Sequence, residues 1–364
     1  MATHESPLPA RALALRPLAR PHPSITRFPI EHLPKSLLCI PLVAQWLWLA
    51  LRHRSLTLPS TINPAIETGG LAGESKSAVL AQITPDFAPA VAPWHMVHPG
   101  GDPVALREAA NLAYPLIAKP DIGWSGYGVQ LIEDDAALQA YAAAFPPEAR
   151  FIIQHLVQAP NEAGLFYVRP PGAPHGRLLG LTLRHTPHVT GDGTSTIAAL
   201  IAANPRTRRN THIYAQTSAS LARIPAEGER VTLTTIASLR VGARYQDATS
   251  HITPALDARI DAIARSMPHF HLGRFDVRFT TMSALRHGEF QIIEVNGAGS
   301  EAIHLWDPAL PLRTAFAGIF AKQRLLFQLG AQMRARGTSP VGPMALARAW
   351  LHQQRLIARY PASN

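Results

Sequence analysis

Gly273-Arg274-Phe275-Asp276-Val277-Arg278-Phe279 and, further on, Phe290-Gln291-Ile292-Ile293-Glu294-Val295-Asn296 are the two stretches that decide how this chain is read. Successive side chains of a strand alternate between faces. Arg274, Asp276 and Arg278 therefore share one side, opposite Phe275, Val277 and Phe279. In the second stretch Glu294 and Asn296 point one way, and Ile293 and Val295 point to the core. The intervening polar residues predict a loop of hairpin length. If the strands pair, an Asp, a Glu and an Asn converge beside arginines, an oxygen-donor set suited to a hard divalent cation such as nucleotide-bound magnesium. The alternative is a solvated hairpin face on which acids and arginines merely pair.

Upstream, Lys119 ends the apolar strand Tyr114 to Ala118 and is followed by Gly123, Gly126 and Gly128. Glycine amides, free of Cβ bulk, can approach phosphate oxygens, and a lysine adds a point charge. An ordinary turn is the competing reading. No helix opens directly from the last glycine, so neither the phosphate loop ending in Lys-Ser/Thr nor the dinucleotide fingerprint fits.

Around these motifs the pattern predicts an α+β organisation. Helices are expected from the glycine-rich Gly69–Lys76 segment to Gln82, over Asp134–Ala144, over Pro254–Ser266 and from Met344 onward. Strands are expected over Val129–Ile132 and Phe151–Val157, with a hairpin of Leu165–Val168 and Leu178–Leu183 around the loop Pro170–Gly176. After the Asp192-Gly193 turn, Thr194 or Ser195 is the expected cap of a helix ending near Asn204. From 204 to 253 only Val231–Thr235 reads as a strand. The Arg348, His352, Arg355 and Arg359 stripe of the last helix reads as a solvated face, with an anionic partner as the alternative.

The 364 residues are 47% hydrophobic and 16% charged, enough to bury a large core. One cysteine, Cys39, rules out an intramolecular disulfide framework. The net charge of +10 suits a polyphosphate ligand, and no interleaving of aromatic and basic residues points to nucleic acid. The arginine-bearing first 23 residues are expected to be a poorly ordered terminus rather than a transit peptide, because prolines interrupt any helix there. Leu37–Leu51 is shorter than the roughly 20 residues needed to cross a bilayer. It is expected to pack on the protein body, with peripheral membrane contact through Trp46 and Trp48 as the alternative.

Taken together, Ile117-Ala118-Lys119-Pro120-Asp121, the loop Gly123–Val129, Gly273–Val277 and Ile293–Gly297 resemble the ATP-grasp superfamily. The likeness is to its carboxylate-amine ligases, such as D-alanine–D-alanine ligase and the ATP-grasp part of cyanophycin synthetase, over roughly residues 69 to 308. The resemblance implies an ATP-grasp fold, two α+β lobes clasping a nucleotide, here with a reduced N-terminal region. The implied division is 1–60 (extension with an apolar helix), 61–155 (N-lobe), 156–320 (C-lobe with the metal site) and 321–364 (basic helical tail). It implies ATP as cosubstrate and two magnesium ions held by Asp276, Glu294 and Asn296.

By the same resemblance Lys76 and Lys119 contact the nucleotide phosphates, and the loop with Gly123, Ser125, Gly126 and Gly128 closes over them. Gln154 falls at an adenine-contacting hinge and Glu162 near a ribose-binding acid. Arg274 stabilises the transferred phosphate, and Arg184 faces phosphate or substrate. The implied activity is a cytoplasmic ATP-dependent ligase joining a small-molecule carboxylate to an amine through an acylphosphate. Two rivals are an ATP-grasp small-molecule kinase and a membrane-associated nucleotide-binding module without turnover. The residues that would select an acceptor have no counterpart in this sequence.

Overall fold

A computed structural model describes Ile30 and residues 33–217 and 221–364; the expected N-terminal segment lies outside the described residues. The first sheet is antiparallel and holds β1 (Trp94–Val97), β2 (Leu116–Pro120), β3 (Gln130–Ile132) and β4 (Phe151–His155) in the order β1-β4-β2-β3. Next come β5 (Asn161–Val168), β6 (Arg177–His185), the ribbon of β7 (His188–Thr190) and β8 (Arg230–Thr232), β9 (Arg244–Asp247), β10 (Leu272–Phe279) and β11 (Gln291–Asn296). Outside the ribbon these strands form a second antiparallel sheet, ordered β11-β10-β5-β6-β9. The helices are α1 (Lys35–Arg52), α2 (Lys76–Leu80), α3 (Pro103–Ala109), α4 (Asp135–Ala144), α5 (Ile197–Ala203), α6 (Thr211–Thr217), α7 (Pro254–Ser266), α8 (Met282–Arg286), α9 (Leu312–Ala335) and α10 (Pro343–Ile357). The architecture is α+β, as the sequence predicts.

Local chemistry sets the element ends. Thr253 accepts the Leu256 N–H at 3.2 Å and Pro254 occupies the first turn of α7, whose Leu256, Ile260 and Ile263 are buried. Asp134 caps α4 through the Ala137 N–H at 2.8 Å, and Tyr141 of that helix packs edge-on against Phe151 of β4. Three details differ from the sequence reading. Thr196, not Thr194 or Ser195, caps α5; the two earlier residues belong to a turn in which Asp192 accepts both their N–H groups and the Ser195 hydroxyl. Between β10 and β11 the chain makes the short helix α8, capped by Thr281, in place of a polar loop. The 24-residue helix α9 opens at Leu312, ahead of position 321, where the expected helical tail begins.

The second sheet is covered on both faces, and this positions the site. One face, with Leu165, Leu181, Phe275 and Val277, packs on α7. On the other, Phe166, Val168 and Leu272 pack under Leu325 and Leu329 of α9. Each such side chain contributes roughly 1.5–3 kcal/mol on burial. Further along that same face, beyond the cover of α9, the register aligns Arg274, Asp276, Glu294 and Asn296. One sheet face is thus apolar in one half and charged in the other.

The two sheets are tied together near the charged half. Ala92 N–H donates to Ile292 O and Lys76 N–H to Asp121 O, both at 2.9 Å. Gly70 has φ +81°, and a Cβ there would lie 2.5 Å from Gly297 Cα. Glycine is required on both counts. The close approach lets Gly70 O accept the Gly299 N–H at 2.8 Å, pinning the segment before α2 against the turn after β11.

A charged cleft between the two sheets

Asp276 and Glu294 are direct partners across β10 and β11, as are Arg274 and Asn296. Between Asp276 and Val277 the register shifts, so Ile293 is the extra residue of a bulge. Ile292, not Ile293, therefore joins Val295 in the core, which corrects the strict alternation read from sequence. The bulge also frees Ile293 O to accept from Lys119 Nζ at 2.8 Å.

Asp276 is buried and held by two arginines. Arg274 Nε donates to its Oδ1 at 2.6 Å, and Arg184 Nη1 lies 2.9 Å from its Oδ2. Burial pushes the Asp276 carboxyl up, but the two guanidinium groups outweigh it and hold the group below the usual carboxylate range. Burial likewise works against the charge on Arg184, and Glu162 at 2.8 Å together with Asp276 reverses this, raising its pKa. Glu162 also lies 3.7 Å from Arg278.

From the first sheet and α2 come two lysines. Lys76 Nζ donates to Gly123 O at 2.9 Å and stands 3.5 Å from Glu294 Oε1. Lys119 Nζ donates to Gln154 Oε1 at 2.7 Å, and burial pushes its ammonium down to about 8 against the opposing pull of Glu294. Lys76, Lys119, Arg184 and Arg274 with Glu74, Asp276, Glu294 and Glu301 line one cleft of about 350 Å³. That lies within the ~300–1,000 Å³ of ligand sites.

Gly123, Ser125, Gly126 and Asn296 also line the cleft. Gly128 does not: its N–H donates to Ser363 Oγ at 3.1 Å, and its φ of +71° turns the chain toward β3. Gln154 is buried behind Lys119, and Glu162 sits beyond Arg184, so neither reaches the cleft wall. The sequence reading missed Glu74, Arg240 and Trp350. Glu74 accepts the Gly297 N–H at 2.9 Å, and burial pushes its carboxyl up to about 7. Arg240 donates to Ser125 O and Gly126 O and stacks on Tyr127 at 4.2 Å, bracing the glycine loop. No local pattern announces them; the region from 204 to 253 around Arg240 is weakly periodic.

Among the described residues no trio of His, Cys, Asp and Glu side chains is grouped to hold a metal by itself. Two facing carboxylates and the Asn296 amide oxygen suit magnesium, which takes one or two carboxylates and completes its shell from substrate phosphates and water, while the buried, unpartnered Asn296 amide nitrogen is a donor that suits an anionic oxygen. The residues fit that ion only in company with a nucleotide.

No protein-family model matches this sequence, and no curated protein matches it. Among solved structures the chain is similar to a D-alanine–D-alanine ligase from Bacillus anthracis at 13% identity and TM-score 0.41, over 72% of this chain and 68% of that one. It is similar to the VanG D-Ala:D-Ser ligase from Enterococcus faecalis at 16% identity and TM-score 0.39, over 72% and 64%. A bifunctional glutathione synthetase from Pasteurella multocida shows 14% identity and TM-score 0.37, over 70% of this chain and 36% of that one, so this chain spans about a third of its length. These neighbours belong to the ATP-grasp carboxylate-amine ligases that the sequence motifs resemble. At such scores the likeness carries no argument of its own, and the functional reading rests on the cleft.

Proposed function

We propose that this chain is an ATP- and magnesium-dependent carboxylate-amine ligase acting through an acylphosphate. The observation that carries the reading is the meeting of Lys76 and Lys119 with Asp276 and Glu294 across one nucleotide-sized cleft. A carboxylate oxygen of the substrate attacks the γ-phosphorus of ATP, the bond to the β-bridging oxygen breaks, and ADP leaves. The amine then attacks the acyl carbon, the carbon–oxygen bond to phosphate breaks, and inorganic phosphate departs as the amine nitrogen gives up a proton to solvent.

Lys76 and Lys119 offset phosphate charge, and the braced loop with Gly123, Ser125 and Gly126 covers the phosphates. Arg274, with Arg184 behind Asp276, supplies fixed positive charge where the tetrahedral intermediate develops its oxyanion. Asp276, Glu294 and Asn296 would hold magnesium, which neutralises charge building on the transferred phosphoryl group. Gln154 positions Lys119, and Glu162 positions Arg184.

The test is an acid screen with ATP, magnesium and hydroxylamine. Acid-dependent ADP release with a trapped hydroxamate supports the ligase; a stable phosphorylated product that resists hydroxylamine points to a kinase; no acid-dependent turnover with any acid sinks both.

A second reading, peripheral membrane contact, draws on α1. Leu37, Ile40, Val43, Leu47 and Leu51 of that helix are exposed along one side, while Trp46 packs edge-on against Phe327 at 5.0 Å. No described helix is long and apolar enough to cross a membrane. Co-sedimentation with anionic vesicles that survives Leu47→Glu and Leu51→Glu would remove this reading.

A further inference from the structure

Beside the charged cleft lies a second and larger cavity of about 620 Å³, walled mainly by apolar side chains of α1, α9, α10 and the turn after β11. Trp46, Leu305, Ile319, Leu326 and Leu346 line it. Gly299, Glu301 and Trp350 border both spaces, so the turn 299–301 is a wall that the two share.

That turn carries a cation on each side. Arg274 Nη1 donates to Glu301 O at 3.2 Å from the cleft side, and Lys322 Nζ donates to Ser300 O from the chamber side. Lys322 is half-buried, lies 5.8 Å from the centre of the Phe166 ring and makes no ion pair among the described residues. Burial pushes its ammonium down to about 8, with Glu301 pulling the other way. Two neighbouring polar atoms, Ser300 Oγ and Gln323 Oε1, are buried without a partner. A half-buried ammonium and a hydroxyl free to donate, set in the wall of an apolar chamber, call for an anionic head and an apolar body, while Gln323 Oε1, an acceptor, suits a bound N–H or water.

The geometry points to a monocarboxylic acid with a bulky or extended apolar body as the substrate class: its body fills the chamber and its carboxylate sits against Lys322 at the shared wall, whose other side Arg274 holds. This assignment rests on the carboxylate-activating reading of the cleft. The shared wall is where such a reading needs the acid, since Arg274 belongs to both the turn and the phosphate side. A small acid without an apolar body would leave the chamber walls solvated and gain nothing from them.

The test is isothermal titration of the full chain with straight-chain acids from hexanoate to dodecanoate and with octan-1-ol, alongside magnesium and a non-hydrolysable ATP analogue. Affinity should rise about fourfold per added methylene until the chamber is full. Octanoate should bind about tenfold or more tighter than octanol. Lys322→Met should remove that preference and leave octanol binding intact; Ala347→Trp, at the chamber mouth, should weaken dodecanoate and spare hexanoate.

Failure of every acid to bind a chain that still binds the nucleotide analogue overturns the substrate class and leaves the ligase reading standing. A chamber filled by a second copy of the chain would exclude the acids and overturn the substrate class in the same way. Acids that bind a chain unable to bind nucleotide overturn the substrate role together with the ligase reading.

Discussion

Lys76 Nζ stands 3.5 Å from Glu294 Oε1, joining the first turn of α2 to strand β11 across the mouth of the cleft. The contact sets the ammonium proposed to bind phosphate beside the carboxylate proposed to bind magnesium. Glu294 is the more accessible of the two facing acids, its side chain 25% exposed, so its loss should spare the fold. Glu294→Gln is expected to lower ATP turnover about 10²-fold or more with an unchanged thermal midpoint. Steady-state ADP release and a melting curve check this, and full activity in the variant removes Glu294 from the site.

Lys119 gives a pH signature. Its ammonium, pushed down to about 8 by burial, loses its proton as pH rises through that value, and with it the charge proposed to face the phosphates. Nucleotide affinity should therefore fall above pH 8, approaching about tenfold per unit, and Lys119→Gln should bind weakly with no slope over the same window. Titrations at pH 7, 8 and 9 decide it; equal slopes in both proteins would exclude Lys119 as the titrating group.

Asn63 is fully buried and stitches the segment before the cleft to the start of β10. Its Oδ1 accepts from His271 N and Leu272 N at 2.8 and 3.2 Å, and its Nδ2 donates to Leu272 O at 2.8 Å. Asn63→Ala should cost about 2–4 kcal/mol, since two buried N–H groups and a carbonyl lose their partners. Urea unfolding measures the loss, and a change below about 0.5 kcal/mol would mean that water replaces the side chain.

Acid stability should show His271. Burial pushes its imidazole down to about 4, so the unfolded chain takes up a proton near pH 6.5 that the folded chain refuses. The group's contribution is complete above pH 6.5 and is lost as pH falls toward 4, at most about 3 kcal/mol for this residue. The drop in unfolding free energy between pH 7 and pH 5 should be smaller in His271→Gln than in the natural chain. Identical drops would assign acid lability elsewhere.

How much of this was readable beforehand follows from which contacts are local. The bounds of α7 follow from Thr253, Pro254 and the spacing of Leu256, Ile260 and Ile263, all inside one segment. Alternation placed Asp276 and Glu294 on one face because β10 is regular there, and it failed at Ile293, where a bulge breaks the period of two. Helix α9 was legible only within the helical tail from 321, because its start at Leu312 has no side-chain cap to mark it, and its buried Leu325, Leu329 and Met333 lie inside that tail. Glu74, Arg240 and Lys322 matter through partners far along the chain, at Gly297, Ser125 and Ser300, and no local pattern encodes those distances. Gln154 and Glu162, which the resemblance implies as nucleotide contacts, lie behind the cleft wall, holding Lys119 and Arg184.

The most direct measurement is isothermal titration of the full chain with a non-hydrolysable ATP analogue, with and without magnesium. Saturable one-site binding that strengthens with magnesium and is lost in the Lys76→Met, Lys119→Met double variant is the result expected of a nucleotide cleft between the two sheets. Heat changes indistinguishable from dilution at millimolar analogue, or binding equally strong in the double variant, would contradict it.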